Sequence, residues 1–236
     1  MKLLTFLFLL FTTLCFSQKQ YEFDYLLEYE VTLYKDSVRI KNRPFHKEEK
    51  SYKKYYLTNS RKNNYTAVIK DLDSSYYKMI FRDQDGIYSE VSVLKSNLNK
   101  AEFINIDCRY VSPYENPYKH LTEDYEFFEL ADTLIDGTAY QHFKIASIKP
   151  KTVKRKKLGA EFYIIEKETE FHLPVVDFPT IYEEWKTKQK LPNGIFLEKY
   201  YIDYYDRLDS KEKLINYWKI DRKIVISEDC DYTREE

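Results

Sequence analysis

The stretch YEFDYLLEYEVTL, residues 21–33, limits what this chain can become more than any other. Its odd positions are Tyr21, Phe23, Tyr25, Leu27, Tyr29, Val31 and Leu33, and its even positions are mostly Glu, Asp and Thr. Successive side chains of a strand point to opposite sides of a sheet, so this alternation marks a β-strand with one covered face. Strands usually hold about 5–6 residues. A run this long asks for a large, curved sheet to cover it.

Similar runs recur at hairpin spacing. SYKKYYLTN and NYTAVIKDL flank a polar turn at residues 59–63. SSYYKMIFRD and GIYSEVSVL meet at Asp85-Gly86, a turn dipeptide. EFINIDCRYV places Ile104, Ile106, Cys108 and Tyr110 on one face. After Gly137, AYQHFKIASI and EFYIIEKET read as a hairpin across a long basic loop, and IFLEKYYIDYYDRL with LINYWKIDRKIVI makes the last pair.

Two segments carry helical spacing instead. In PYKHLTEDYEFFEL, Tyr118, Leu121, Tyr125 and Phe128 recur at that spacing behind Pro117. In FPTIYEEWKTKQKLPNG, Thr180 and Glu183 form a capping box, Lys186, Lys188 and Lys190 suit the negative end, and Pro192-Asn193-Gly194 stops the helix. A mainly β chain is expected: an antiparallel curved sheet or unclosed half-barrel with about two short helices. The 24 tyrosines fit a half-buried pleated surface, since each buries a ring and keeps a polar tip. Only 4 glycines and 7 prolines are present, and no linker or repeat divides the chain. Residues 18–236 are therefore expected to form a single β-rich domain.

The N-terminus sets the expected compartment. MKLLTFLFLLFTTLCFSQ has Lys2 as its only charge and an apolar run from Leu3 to Phe16. That is the layout of a secretory signal peptide, residues 1–17. The run falls short of the roughly 20 residues that span a bilayer, so an integral membrane protein is not expected. Cleavage between Ser17 and Gln18 discards Cys15. A lipid anchor at Cys15 fits less well, because Leu14 precedes it where a small residue is usual. The expected location is secreted or periplasmic. Two cysteines then remain, Cys108 and Cys230. Export permits a disulfide between them; two free thiols are the other reading.

Catalytic patterns are missing from the sequence. There is no Gly-x-Ser-x-Gly elbow, glycine-rich phosphate loop, Cys-x-x-Cys or His-Glu-x-x-His. His46, His120, His142 and His172 share no short metal-type spacing with one another or with a cysteine. No catalytic residue, metal site or cofactor is expected, and the chain reads as a non-enzyme. A formal net charge of −1 argues against nucleic acid. KPKTVKRKK, with Lys151, Lys154, Arg155, Lys156 and Lys157, reads either as a solvated loop or as a contact for anionic surfaces. The face formed by Tyr21, Phe23, Tyr25, Leu27, Tyr29 and Val31 is also open to two readings. In a closed sheet it is core; in a half-open one it lines a concavity for an apolar ligand.

The order of elements resembles a known family. A signal ending in FSQ precedes the long strand FDYLLEYEVTL, and DTLIDGTAYQHFKI leads into AEFYIIEKETEFHLPVV. This resembles the secreted GLPGLI-type proteins of Gram-negative bacteria, similar in turn to lipoprotein carriers of the LolA/LolB type. FHLPVVDFP stands where the name-giving Gly-Leu-Pro-Gly-Leu-Ile would be sought, so no functional residue is carried across. The resemblance implies an unclosed antiparallel barrel around a small helical lid. In the carrier branch the cavity shields lipoprotein acyl chains. Two functions are therefore expected in competition. One is a non-enzymatic envelope protein holding a lipid-like or other hydrophobic ligand, such as a lipid or lipoprotein acyl chain. The other is an interaction module with a closed core that meets an envelope protein or glycan.

Overall fold

The computed structural model describes residues 18–36, 47–117 and 119–233. The signal-peptide reading, with Cys15 and Ser17, lies outside them; so do His46 and Tyr118. Two strands dominate, β1 (Lys19–Asp36) and β14 (Leu208–Ile226). They pair antiparallel along nearly their whole length. On one side of β1 follow β2 (Lys47–Asn59), β3 (Lys62–Asp71), β4 (Tyr76–Asp83), β5 (Ile87–Leu94) and β7 (Val111–Pro113). On the other side of β14 follow β13 (Phe196–Ile202), β12 (Ala160–Ile165), β11 (His142–Ser147) and β8 (Tyr125–Glu129). The sheet ends in β7 and β8, which do not pair with each other, so it stays unclosed. β6 (Phe103–Ile106) adds a parallel pairing to the end of β14. β9 (Thr133–Ile135) and β10 (Thr138–Tyr140) form a separate ladder. Helices α1 (Lys95–Lys100), α2 (Pro150–Lys156) and α3 (Pro179–Lys188) are short. None of the described helices is long and apolar enough to cross a membrane.

The alternating face of β1 serves two cores. Tyr21 and Phe23 pack with Tyr65, Phe81, Ile104 and Ile224 in one; Leu27 and Tyr29 pack with Tyr56, Tyr163 and Phe196 in the other. The division falls at the first of two register shifts between β1 and β14, located at Phe23/Tyr25 and Glu28/Tyr29. Each shift places an extra residue in β14, and such bulges bend a strand and increase its twist. Leu27 is 0% exposed at this junction. Leu27→Ala is expected to cost about 3 kcal/mol, within the usual range for a buried leucine, read as a lower urea midpoint with an unchanged slope.

Four local expectations are corrected. Lys119–Asp124 is a 3₁₀ turn and Tyr125–Glu129 is a strand, not one helix. Phe127 pairs opposite Ile145 and is buried while Phe128 is exposed, so sheet pairing overrides the helical spacing. The helix over FPTIYEEWKTK forms, but its N-cap is Phe178 rather than Thr180, without a side-chain cap; Pro179 starts it, which leaves Thr180 inside. The basic stretch is a helix rather than a loop. Pro150 opens α2, Lys157 at φ 54° ends it, and the basic residues lie toward its carbonyl end, where cations are favoured. Finally, β6 stops at Ile106, because the Asp107 side chain accepts from the Arg109 amide and starts a 3₁₀ turn at Cys108–Tyr110.

Cys108 and Cys230 are joined in a disulfide, with Cα atoms 5.6 Å apart. It ties the turn after β6 to the 3₁₀ turn after β14, closing the edge where the first core meets solvent.

Candidate functional site: a cavity beside a buried ion cluster

The register of five strands places a row of side chains across one face of the sheet. Val31 lies opposite Glu212, Glu212 opposite Lys199, Lys199 opposite Tyr163, and Tyr163 opposite Phe143. Leu27 and Tyr29 bring Tyr56 and Lys54 of β2 alongside. A chain segment at residues 166–178 crosses over this face and lowers Asp177 into it. Three bonds hold the segment to the β2–β3 hairpin. The Leu173 amide donates to the Ser60 carbonyl at 2.9 Å, Asn63 donates to the Pro174 carbonyl at 3.2 Å, and His172 meets the Thr58 hydroxyl at 2.9 Å.

The result is a buried network of two ammonium groups and three carboxylates. Lys54 Nζ lies 2.8 Å from Glu212 and 3.3 Å from Asp177; Lys199 Nζ lies 3.0 Å from Asp177 and 3.3 Å from Glu212. The Tyr56 hydroxyl sits 2.7 Å from Glu212 and 3.0 Å from Asp177, so its single proton serves one of them at a time. Lys199 is only 3% exposed at its side chain. Burial pushes its ammonium down, but Asp177, Glu212 and Glu161 more than reverse that and raise it. Burial likewise pushes Asp177 and Glu212 up, yet Lys199 and Lys54 hold both below the usual carboxylate range.

Glu161 differs. Lys199 is 3.9 Å away, beyond hydrogen-bond distance, and Tyr163 donates to Glu161 Oε2 at 3.0 Å. Burial pushes its carboxyl up to about 7, against the opposing pull of Lys199. The folded state therefore holds a proton on Glu161 that the unfolded chain, with an ordinary value of 4.5, releases earlier. Stability from this group is lost as pH rises from 4.5 toward 7. Glu161→Gln is expected to gain up to about 3 kcal/mol over the parent at pH 8.5 and almost nothing at pH 4. Paired urea melts at the two pH values measure it.

The next row on the same face forms a cavity floor: Ser210, Tyr201, Glu161 and Ile145 stand opposite one another in turn. Above it lies the start of α3, with Phe178, Pro179 and Ile181, and the space between has a volume of about 720 Å³. Its walls are mostly apolar and aromatic; Lys199, Glu212 and Glu161 bring the ion cluster to one side. Arg82 and Tyr114 stand at the rim, with the guanidinium 5.2 Å from the tyrosine ring. Arg82 Nη1 donates to the Asp177 carbonyl at 2.9 Å, while Arg82 Nε and the Tyr114 hydroxyl are buried without a hydrogen-bond partner among the described residues. A larger cleft of about 1060 Å³ lies at the other end of β1, but charged and amide side chains such as Arg61, Asn63 and Asp83 line it.

The residues singled out from sequence lie elsewhere. Tyr21, Phe23, Leu27, Tyr29 and Val31 are at most 2% exposed and none lines the 720 Å³ cavity; Tyr25 is half-buried beside Phe171. Lys151, Lys154, Arg155, Lys156 and Lys157 are all exposed on or just after α2, whose chain continues into Leu158 and Gly159 of the cavity wall. The ion cluster was not found from sequence. One signal for it was present: Asp177 interrupts the apolar run LPVVDFP, and a charge inside such a run needs a partner. Among the described residues, no group of three or more His, Cys, Asp or Glu is placed to hold a metal ion.

No family model matches the sequence, and no curated protein is similar to it. Solved structures show a loose likeness to it. The chain is similar to one in the complex of MucA and MucB from Pseudomonas aeruginosa, at 6% identity and a TM-score of 0.38, covering 89% of this chain and 56% of that one. It is similar to a putative outer membrane lipoprotein-sorting protein domain from Vibrio parahaemolyticus, at 9% identity and 0.31, covering 83% and 85%. It is also similar to a LolA superfamily protein from Nitrosomonas europaea, at 10% identity and 0.31, covering 82% and 84%. This chain spans little more than half the length of the MucB-containing structures. At these scores the likeness is loose, and it assigns no role to any residue.

Proposed function

We propose that this is a non-enzymatic, secreted or periplasmic envelope protein whose half-open sheet holds the apolar part of a lipid-like ligand, such as a lipid or lipoprotein acyl chain. One observation carries the reading: a cavity of about 720 Å³ with mainly apolar walls, floored by β11–β14 and roofed by α3. Small-molecule sites commonly have this size, of order 300–1,000 Å³, and this character. The Cys108–Cys230 bond supports an oxidising compartment. Cleavage between Ser17 and Gln18 is part of the proposal, and a denatured mass beginning at Gln18 tests it. The exposed cations of α2, next to the cavity wall, suit contact with anionic headgroups.

The experiment is uptake of an environment-sensitive hydrophobic dye while near-UV circular dichroism stays native. Saturable uptake, reduced at least fivefold by Thr180→Trp at the cavity roof, is expected. A well-folded sample that takes up no dye sinks the reading. A second reading, an interaction module for an envelope protein or glycan, draws on a different observation. The aromatic face of β1 is closed core, and β7 and β8 leave open sheet edges, to which an extended segment of a partner adds by strand pairing.

A further inference from the structure

We infer that the cavity takes an amphiphile whose polar end is a protonated amine, seated against Glu161 with its apolar chain along Ile145, Tyr125 and Ile181. This rests on the ligand-holding reading above and adds the chemistry of the ligand's head.

Glu161 is the carboxylate left over once the other buried charges have paired. Lys54 and Lys199 each contact both Asp177 and Glu212 within 3.3 Å, so two ammonium groups and two carboxylates satisfy one another. Glu161 is the third carboxylate and has no ammonium within hydrogen-bond distance; its nearest, on Lys199, is 3.9 Å away. It lies on the cavity floor, where a ligand reaches it. The groups facing it from neighbouring elements are Lys199 on β13, Glu212 on β14, Tyr163 on its own strand and Asp177 on the crossing segment. Glu212 and Asp177 raise its proton affinity, and Lys199 opposes them after burial has acted. Asp209 adds a further carboxylate at the wall, and the remaining lining cation, Arg82, is already turned to the Asp177 carbonyl. An anionic head would meet three carboxylates here. An ammonium head gains a charge-assisted hydrogen bond to Glu161.

Glu161 must be ionised to hold an ammonium. With its carboxyl near 7, the ionised fraction grows about tenfold between pH 6 and pH 8. Affinity for an alkylammonium should rise by the same factor, while a neutral head hydrogen-bonded to the carboxylic acid would weaken.

The test compares decylammonium, decanol and decanoate, each below its micelle-forming concentration, by calorimetric titration of the full chain at pH 6 and pH 8. Decylammonium is expected to bind at least about tenfold tighter than decanol at pH 8. Glu161→Gln, nearly isosteric, should erase both that preference and its pH dependence. Equal binding of all three overturns the inference and leaves the cavity reading standing. Tighter decanoate binding also overturns it, and moves the polar end to the unpartnered Arg82 Nε. If none of the three binds to folded protein, the inference and the cavity reading fall together.

Discussion

Lys199→Met is expected to lower stability by about 3–5 kcal/mol. The substitution keeps the length and apolar stem of the side chain, so the cost isolates the charge. Lys199 is shared by Asp177, Glu212 and, at longer range, Glu161. Without it, Lys54 alone faces Asp177 and Glu212, and Glu161 loses its nearest ammonium. Breaking one partner of a buried ionic network typically costs that much, because the remaining charges stay buried and uncompensated. The loss should be pH-dependent. Asp177 and Glu212 owe their depressed values to Lys199 and Lys54 once burial is overcome. In the parent, their contribution is present above the ordinary carboxylate range and fades as pH falls through their folded values. The variant should therefore lose most stability at neutral pH and approach the parent in acid, as the carboxylates take up protons. Urea melts at pH 7.5 and pH 3 follow the trend, with a smaller loss expected at pH 3; an equal loss at both pH values would show that Lys199 acts only by packing.

The second large effect concerns the covalent tie. Cys108 and Cys230 are separated by 122 residues in sequence. Closing a loop of that length removes much freedom from the unfolded chain, by about 4–5 kcal/mol in the chain-entropy account. The double variant Cys108→Ser, Cys230→Ser should be less stable by about 4 kcal/mol, read as a lower urea midpoint. Reductant should bring the parent to the same midpoint and leave the variant unmoved. Damage should concentrate in the first core, since Cys230 is 2% exposed and packs there with Ile104, Ile106 and Ile226. The cavity, built in the second core, should keep its ligand affinity in the variant at low denaturant.

How much of this could be read in the sequence depends on how local the cause is. β1 was legible because its alternation is a property of consecutive residues, and Tyr21, Phe23, Leu27, Tyr29 and Val31 are buried. The hairpins β2–β3, β4–β5 and β13–β14 were legible for the same reason, each bounded by a short polar or glycine turn, and β11–β12 was legible as a pair although α2 joins it. Tyr125–Glu129 was misread because its state is set by pairing with β11, from Phe143 opposite Glu129 to Ser147 opposite Tyr125, rather than by its own spacing. The cavity and the ion cluster were hidden more deeply. Lys54, Glu161, Asp177, Lys199 and Glu212 come from four strands and a crossing segment. Each looks like an ordinary surface charge among the chain's 38 Lys and Arg and 39 Asp and Glu until strand register and the crossing segment bring them together. A reading that placed the ligand surface on β1 chose the strongest pattern. The strongest apolar pattern is what a core requires, and the cavity formed where the pattern is mixed.

The central claim is that the space under α3 holds a lipid-like molecule. Native mass spectrometry, after incubating the folded protein with lipid extracted from the envelope of its own source, tests it most directly. A discrete added mass of one lipid, lost on denaturation and much reduced in Thr180→Trp, is the predicted result. A bare chain mass under native conditions, from protein shown to be folded by near-UV circular dichroism, would contradict it.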